Sequence, residues 1–264
     1  MNDLEGRVAV ITGGGSGIGR GTALAFAREG VKIVVADIDH DRAAETEGNA
    51  NAIGVDAVAV RCDVTREEDL AAVRDLALER FGRVDIVMNN VSVIAVGLPL
   101  EIPLDEWQRS IDVNLLSIVR SNQVFLPVLL ARGEGHVVNT ASTAGLYAYT
   151  FERLPYTATK AAIVGMSEAL ALYLRPRGIG VTCLCPGPVA TNIVEQMRFF
   201  GEPRAVQGPT LAIVDSSVAG DVVVEAVRGD HFLALTHPEV HDIIVRRAED
   251  PDAFLRGQID PGVA

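Results

Sequence analysis

A chain of 264 residues with 48% hydrophobic side chains can bury the core of one large α/β domain. Its net charge of −12 argues against a nucleic-acid or anionic-membrane partner, either of which wants a basic surface, and reads as solubility. No apolar run in the sequence approaches the ~20 residues of a membrane span, and the N-terminus, MNDLEGRVAV, lacks a basic stretch followed by a long apolar one, so no membrane partner and no signal peptide are expected.

The elements alternate. Val8 to Thr12 is a short apolar strand, followed by a glycine cluster and a helix to about Glu29. Lys32 to Asp37 is a second strand, with a polar helix from about His40 to Ala52 behind it. Ala57 to Arg61 and Val84 to Asn89 are the third and fourth strands, separated by a helix from Arg66 to Phe81. A long helix is expected from Asp105 to about Ala131. His136 to Thr140, Gly180 to Cys185 and Phe232 to Leu235 complete the strands, with helices from Tyr156, Ser216 and Pro238. Uninterrupted apolar strands between helices predict a doubly wound, Rossmann-type parallel sheet of about seven strands, covered on both faces, in a single domain spanning 1–264. Residues 188–215 have no clear period and read as a lid, and 251–264 as a short C-terminal tail. Cys62, Cys183 and Cys185 form no C-x-x-C motif and read as small buried hydrophobes, which fits a reducing, cytoplasmic setting.

The cluster Gly13, Gly14, Gly15, Ser16, Gly17, Ile18, Gly19 follows the first strand and opens a helix. Glycines there allow a tight turn, and the free N–H groups of the helix attract a pyrophosphate. Asp37, at the end of the second strand, stands where a carboxylate accepts from adenosine ribose hydroxyls and repels a 2′-phosphate. Ile38 and Asp39 supply no arginine for such a phosphate, so the expected cofactor is NAD.

Tyr156 and Lys160 are four apart on a helix and share one face. A free phenol ionises near 10, and a fixed positive charge beside it favours the phenolate. One ammonium with a second cation could bring it to ~7, which takes roughly 4 kcal/mol.

Together these motifs resemble the short-chain dehydrogenase/reductase family over residues 5 to about 240. The glycine cluster is similar to its T-G-x-x-x-G-x-G, and Asn89-Asn90-Val91-Ser92 to its N-N-A-G, with Val91 and Ser92 in place of Ala and Gly. The resemblance implies that Asp63 and Val64 hold adenine, that Asn89 belongs to the cofactor loop, and that Pro186, Gly187, Val189 and Thr191 hold the nicotinamide. It implies a catalytic tetrad of Asn114, Ser142, Tyr156 and Lys160: Tyr156 moves the hydroxyl proton, Lys160 lowers its pKa and binds the nicotinamide ribose, Ser142 fixes the substrate oxygen, and Asn114 holds a relay water.

In this family the irregular segment folds over the substrate, which makes Met197 and Phe200 walls, with Ile94, Leu146 and Phe151 beside them. Those apolar side chains, with Arg198 and Arg204 isolated, suggest a bulky, neutral cyclic or aryl secondary alcohol as the small-molecule substrate. Thr236-His237-Pro238-Glu239 resembles members acting on such alcohols. His237 and His241, with Glu239 between, do not match H-E-x-x-H, so no metal is expected; His40, His136 and His231 read as surface residues. Many members pair the Tyr156 helix and the Asp105–Ala131 helix across a dimer interface, often within a tetramer, so a homo-oligomer is expected. The rival readings are a β-ketoacyl-type reductase using NADPH and a non-catalytic dinucleotide-binding sensor on the same fold.

Overall fold

The computed structural model describes residues 1, 3–202 and 208–259. In chain order the elements are β1 (Val8–Thr12), α1 (Gly17–Arg28), β2 (Lys32–Asp37), α2 (His40–Ile53), β3 (Ala57–Arg61), α3 (Glu67–Phe81), β4 (Ile86–Asn89) and β5 (Ile94–Val96). There follow α4 (Leu104–Ile111), a π-helical turn (Asp112–Leu116), α5 (Ser117–Arg132), β6 (Gly135–Thr140), α6 (Thr143–Leu146), α7 (Leu154–Leu174) and β7 (Ile179–Cys185). The chain continues with a 3-10 turn (Asn192–Gln196), β8 (Met197–Phe199), α8 (Ser216–Gly229), β9 (Leu233–Leu235), α9 (Val240–Glu249) and α10 (Pro251–Gln258).

Seven strands form one parallel sheet in the order β3-β2-β1-β4-β6-β7-β9. β1 and β2 are buried on both faces because helices cover both sides, which is why their sequences run apolar without alternation. Ala9, Ile11, Ile33 and Val35 face α1 and α8, and Val8, Val10, Val34 and Ala36 face the layer of α3, α5 and α7. The strand order reverses between β1 and β4, and at such a switch point the carboxyl ends of the strands leave a crevice.

Several expectations change. The helix foreseen as continuous is widened at Asp112–Leu116 by the π-helical turn. Leu104–Arg132 is long and apolar enough by composition for a membrane span, but it carries Asp105, Glu106, Arg109, Asp112 and Arg120 and packs on α3 and α7. The segment 188–215 is not wholly irregular: β8 pairs with β5 as a separate parallel ribbon, and Val189 bridges to Val214. The expected tail carries α10, because Asp250 caps it, accepting from Ala253 N at 2.8 Å, and Pro251 preorganises its first turn. Phe254 of α10 meets Tyr147 edge-on at 6.1 Å. Arg204 and Pro261-Gly262 lie outside the described residues.

His136 is a core residue rather than a surface one, 1% exposed. Its Nε2 donates to Thr182 Oγ1 at 2.8 Å, while that hydroxyl donates to His231 O at 2.7 Å. Burial, helped by the N-terminal ammonium and Arg175, lowers its pKa to about 3. The folded value lies below the unfolded one, so the stabilisation is full above pH ~6.5 and is lost as pH falls toward about 3. The wild type is expected to lose stability relative to His136→Gln between pH 6.5 and 4, by up to ~1.4 kcal/mol per pH unit. Urea unfolding across that range checks this, and parallel pH profiles would contradict it.

Candidate active site

A cleft of about 910 Å³ opens at the switch point, large enough for a cofactor and a substrate together. Ser16, Gly17 and Ile18 of the α1 N-terminus line one end with Asp37, Asp63 and Val64. Ser142, Tyr156, Lys160, Pro186, Gly187 and Val189 line the other, Gly13 also stands in the wall, and Thr191 lies beside Gly17 of the cradle.

The first end is shaped as a cradle. Gly17 has φ +50°, and a Cβ there would stand 2.9 Å from Thr191 Cβ; a Cβ on Gly19 would stand 2.1 Å from Gly13 O. Ser16 caps α1 without a side-chain hydrogen bond, which leaves the first-turn N–H groups turned to the cleft. Asp37 braces the loop: Oδ2 accepts from Gly15 N at 2.9 Å and Oδ1 from Asp39 N at 3.0 Å. A helix N-terminus opened by Gly17 and Gly19, with a carboxylate at the end of the second strand, fits a pyrophosphate and a ribose diol. Asp63 Oδ1 accepts from Thr65 N at 3.0 Å and Thr65 Oγ1 at 2.7 Å, which fixes the turn beside it.

Arg42 is a cleft residue that the sequence reading passed over. It enters because α2 begins within one turn of Asp37, but two carboxylates hold it: Glu195 Oε2 at 2.8 Å and Asp39 Oδ2 at 3.2 Å.

At the other end, Lys160 Nζ lies 5.5 Å from the Tyr156 ring centroid and donates to Thr140 O at 2.7 Å. Lys160 is 1% exposed, and burial lowers its pKa to about 8, with the neighbouring thiols of Cys183 and Cys185 opposing. The Tyr156 phenol is pushed up to about 12 by burial, against a hydrogen bond from Ser142 and the charge of Arg153. Burial, rather than Lys160, therefore sets the phenol in this structure, and Tyr156 holds its proton. Ser142 Oγ accepts from Ala144 N at 3.1 Å and so caps α6; with that acceptor position used, its own hydrogen is free for Tyr156 or a substrate oxygen.

Asn114, on the π-helical turn, is fully buried and outside the cleft wall. Its Oδ1 accepts from Val93 N at 2.8 Å and Ser92 Oγ at 3.3 Å, and its Nδ2 donates to Val93 O at 3.0 Å and Thr159 Oγ1 at 3.2 Å. All its side-chain hydrogen-bonding positions are used, so the side chain has none left for a relay water. It clamps the start of β5 to the helix that carries Tyr156 and Lys160.

Two further residues sit elsewhere than their motifs suggest. Asn89 is buried and donates to Asn139 Oδ1 at 2.9 Å within the sheet; Asn90 is the cleft residue, donating to Gly13 O at 3.3 Å. Gly19 stands behind the cradle and acts through its close approach to Gly13. Of the expected substrate walls, Ile94 and Met197 line the cleft, held side by side by the β5–β8 pairing. Leu146 packs instead on the cluster of Ile118, Ala141, Ile163, Cys183 and Cys185, Phe200 covers Gly97, and Phe151 is exposed. His237 is buried, with Nδ1 accepting from Thr236 Oγ1 at 2.8 Å and Nε2 donating to Ala212 O at 2.7 Å, while His241 is exposed beside Asp242. The sequence reading did not anticipate Val113, Tyr149, Arg109 or Arg153 in the wall, since tertiary packing alone brings them there.

The family model for short chain dehydrogenases matches residues 7–199. The cyclohexanol dehydrogenase of Acinetobacter sp. (strain SE19) is 35% identical over 198 residues, covering 75% of this chain and 78% of that protein. The 2,5-dichloro-2,5-cyclohexadiene-1,4-diol dehydrogenase of Sphingobium indicum is 36% identical over 198 residues, covering 74% and 78%. A short-chain dehydrogenase/reductase of Burkholderia phymatum, solved in complex with NAD, superposes with a TM-score of 0.86 at 32% identity and covers 99% of both chains. With the matching motifs on one cleft and the family model spanning most of the sequence, this chain belongs to the short-chain dehydrogenase/reductase family.

Proposed function

We propose that the protein is an NAD-dependent dehydrogenase that oxidises a secondary alcohol on a cyclic substrate, or reduces the matching ketone. The observation that carries this is the convergence of Ser142, Tyr156 and Lys160 at one end of a cleft whose other end is the Gly17 cradle with Asp37. The bound nicotinamide supplies the hydride acceptor or donor. Tyr156 exchanges a proton with the substrate oxygen, Ser142 donates a hydrogen bond to that oxygen, and Lys160, whose pKa of about 8 leaves it charged at neutral pH, favours the phenolate. Asn114 acts by position, fixing Val93 and Thr159. The relatives named for cyclohexanol and a cyclohexadiene diol support a ring as substrate. Exposed Leu116, Leu172 and Tyr173, on the π-helical turn and α7, support pairing between copies of the chain.

The preference for NAD rests on Asp37, which lines the cleft at the end of β2, where a carboxylate would accept from ribose hydroxyls and repel a 2′-phosphate. Arg42 favours NADP in principle, but Glu195 and Asp39 already occupy it. With one alcohol, kcat/KM for NAD should exceed that for NADP at least tenfold, which is only ~1.4 kcal/mol. Equal or better use of NADP would contradict this cofactor assignment.

A further inference from the structure

The proton-transfer set leaves unexplained two guanidinium groups in the cleft wall, Arg109 of α4 and Arg153 at the start of α7. They differ in how they are satisfied. Arg109 has a carboxylate, Glu106 Oε2 at 3.4 Å, which also engages Arg198 through Oε1 at 2.6 Å. Arg153 has no ion pair among the described residues; its neighbour in the wall is the Tyr149 phenol, whose pKa is raised by burial, with the Arg153 charge opposing. Its Nε is sealed from water and meets no hydrogen-bond acceptor. With no carboxylate partner and one N–H unpaired, the protein's own hydrogen bonding to this guanidinium is incomplete, so the group keeps donor capacity for a ligand acceptor. A guanidinium presents its N–H groups as a planar fork that matches a carboxylate in two parallel hydrogen bonds.

The same cleft is lined by the apolar side chains of Val93, Ile94, Val113, Met197, Leu211 and Ile213. An apolar body with one anionic group suits such a surface. Arg153 precedes Tyr156 by three residues, so the two groups stand about one helical turn apart at the same end of the cleft. We propose that Arg153 is an anion-binding group for the substrate, and that the substrate is a ring-bearing secondary alcohol carrying a carboxylate about one helical turn from the hydroxyl that meets Tyr156. This rests on the dehydrogenase reading for the hydroxyl but not for the carboxylate, and it replaces the neutral substrate expected from the sequence.

The test separates the two. Cyclohexanecarboxylate and its neutral counterpart cyclohexanecarboxamide are titrated by calorimetry into the full-length protein saturated with NAD. The carboxylate should bind at least about tenfold more tightly than the amide. Arg153→Gln should bring the two affinities together, and Arg153→Lys should keep part of the preference, with the thermal transition of each variant showing that it folds. Equal binding of acid and amide by the wild type overturns the anion site, as does a preference that survives Arg153→Gln. Oxidation of cyclohexanol is measured in parallel: turnover without acid preference leaves the dehydrogenase and removes the anion site. An Arg153-dependent preference with no oxidation of any alcohol supports the anion site and removes the dehydrogenase.

Discussion

Tyr156→Phe is expected to lower kcat/KM at least ~100-fold while cofactor affinity stays close to wild type. The substitution removes one oxygen and little volume, and the ring stays packed against Lys160, whose Nζ lies 5.5 Å from its centroid. What is lost is the proton carrier assigned to the substrate oxygen, a role that Lys160 does not take over because its Nζ is turned to Thr140 O at 2.7 Å. With the phenol pushed up to about 12, the oxidation rate should climb with pH, since turnover draws on a phenolate scarce at neutral pH. That climb should vanish in the Phe variant. Lys160→Ala should lose activity and cofactor affinity together. Steady-state kinetics with cofactor fluorescence titration separates these outcomes. Retention of more than a tenth of wild-type turnover by Tyr156→Phe would remove Tyr156 from the chemistry.

Asp85→Ala should be the most damaging single change to stability, at about 3–5 kcal/mol. Asp85 is fully buried at the amino end of β4. Its Oδ2 accepts from Val8 N at 2.9 Å and Arg83 Nε at 2.7 Å, and its Oδ1 accepts from Arg7 Nη1 at 3.2 Å. Arg132 Nη2 stands 3.7 Å away, and Glu134 shares Arg7 at 2.8 Å and Arg132 at 2.9 Å. Removing the carboxylate strands a buried backbone N–H and leaves several guanidiniums facing one another. Asp85→Asn keeps an acceptor for Val8 N and should cost less. The exposed pair Arg28–Asp221, at 2.7 Å, is the control: Asp221→Ala should cost under ~1 kcal/mol. Urea unfolding of the three variants tests the ranking, and equal losses for Asp85→Ala and Asp221→Ala would contradict it.

The central sheet was readable because β1, β2 and β4 are short apolar runs between helices, and a strand covered on both faces has that signature. The cradle was readable because a left-handed backbone at Gly17 and the close approach of Gly13 O to Gly19 both demand glycine. The β5–β8 ribbon was not: each strand has only three residues, one holds Arg198 at its centre, and their pairing joins positions 94 and 197. Which of Asn89 and Asn90 faces the cleft was equally hidden. When both faces of a sheet are buried, the residue pattern does not say which side holds the ligand, and only the register of Asn89 against Asn139 decides it. The motif reading also named Asn114 but not its manner of acting, since the partners that saturate it, Val93 and Thr159, are far from it in sequence. Arg109 and Arg153 belong to no motif, and their place in the wall depends on how α4 and α7 pack over the cleft.

The most direct test of the central claim is a spectrophotometric screen of secondary alcohols with NAD, following nicotinamide reduction. The panel should contain cyclic alcohols with and without a carboxylate, aryl alcohols, sugar alcohols and open-chain 3-hydroxy acids. Reduction of NAD with the cyclic alcohols at higher kcat/KM than with sugar alcohols or open-chain acids, and its loss in Tyr156→Phe, is the predicted result. Tight binding of NAD with no reduction by any alcohol, and no NADH oxidation by the matching ketones, would contradict it and leave a dinucleotide-binding protein without this chemistry.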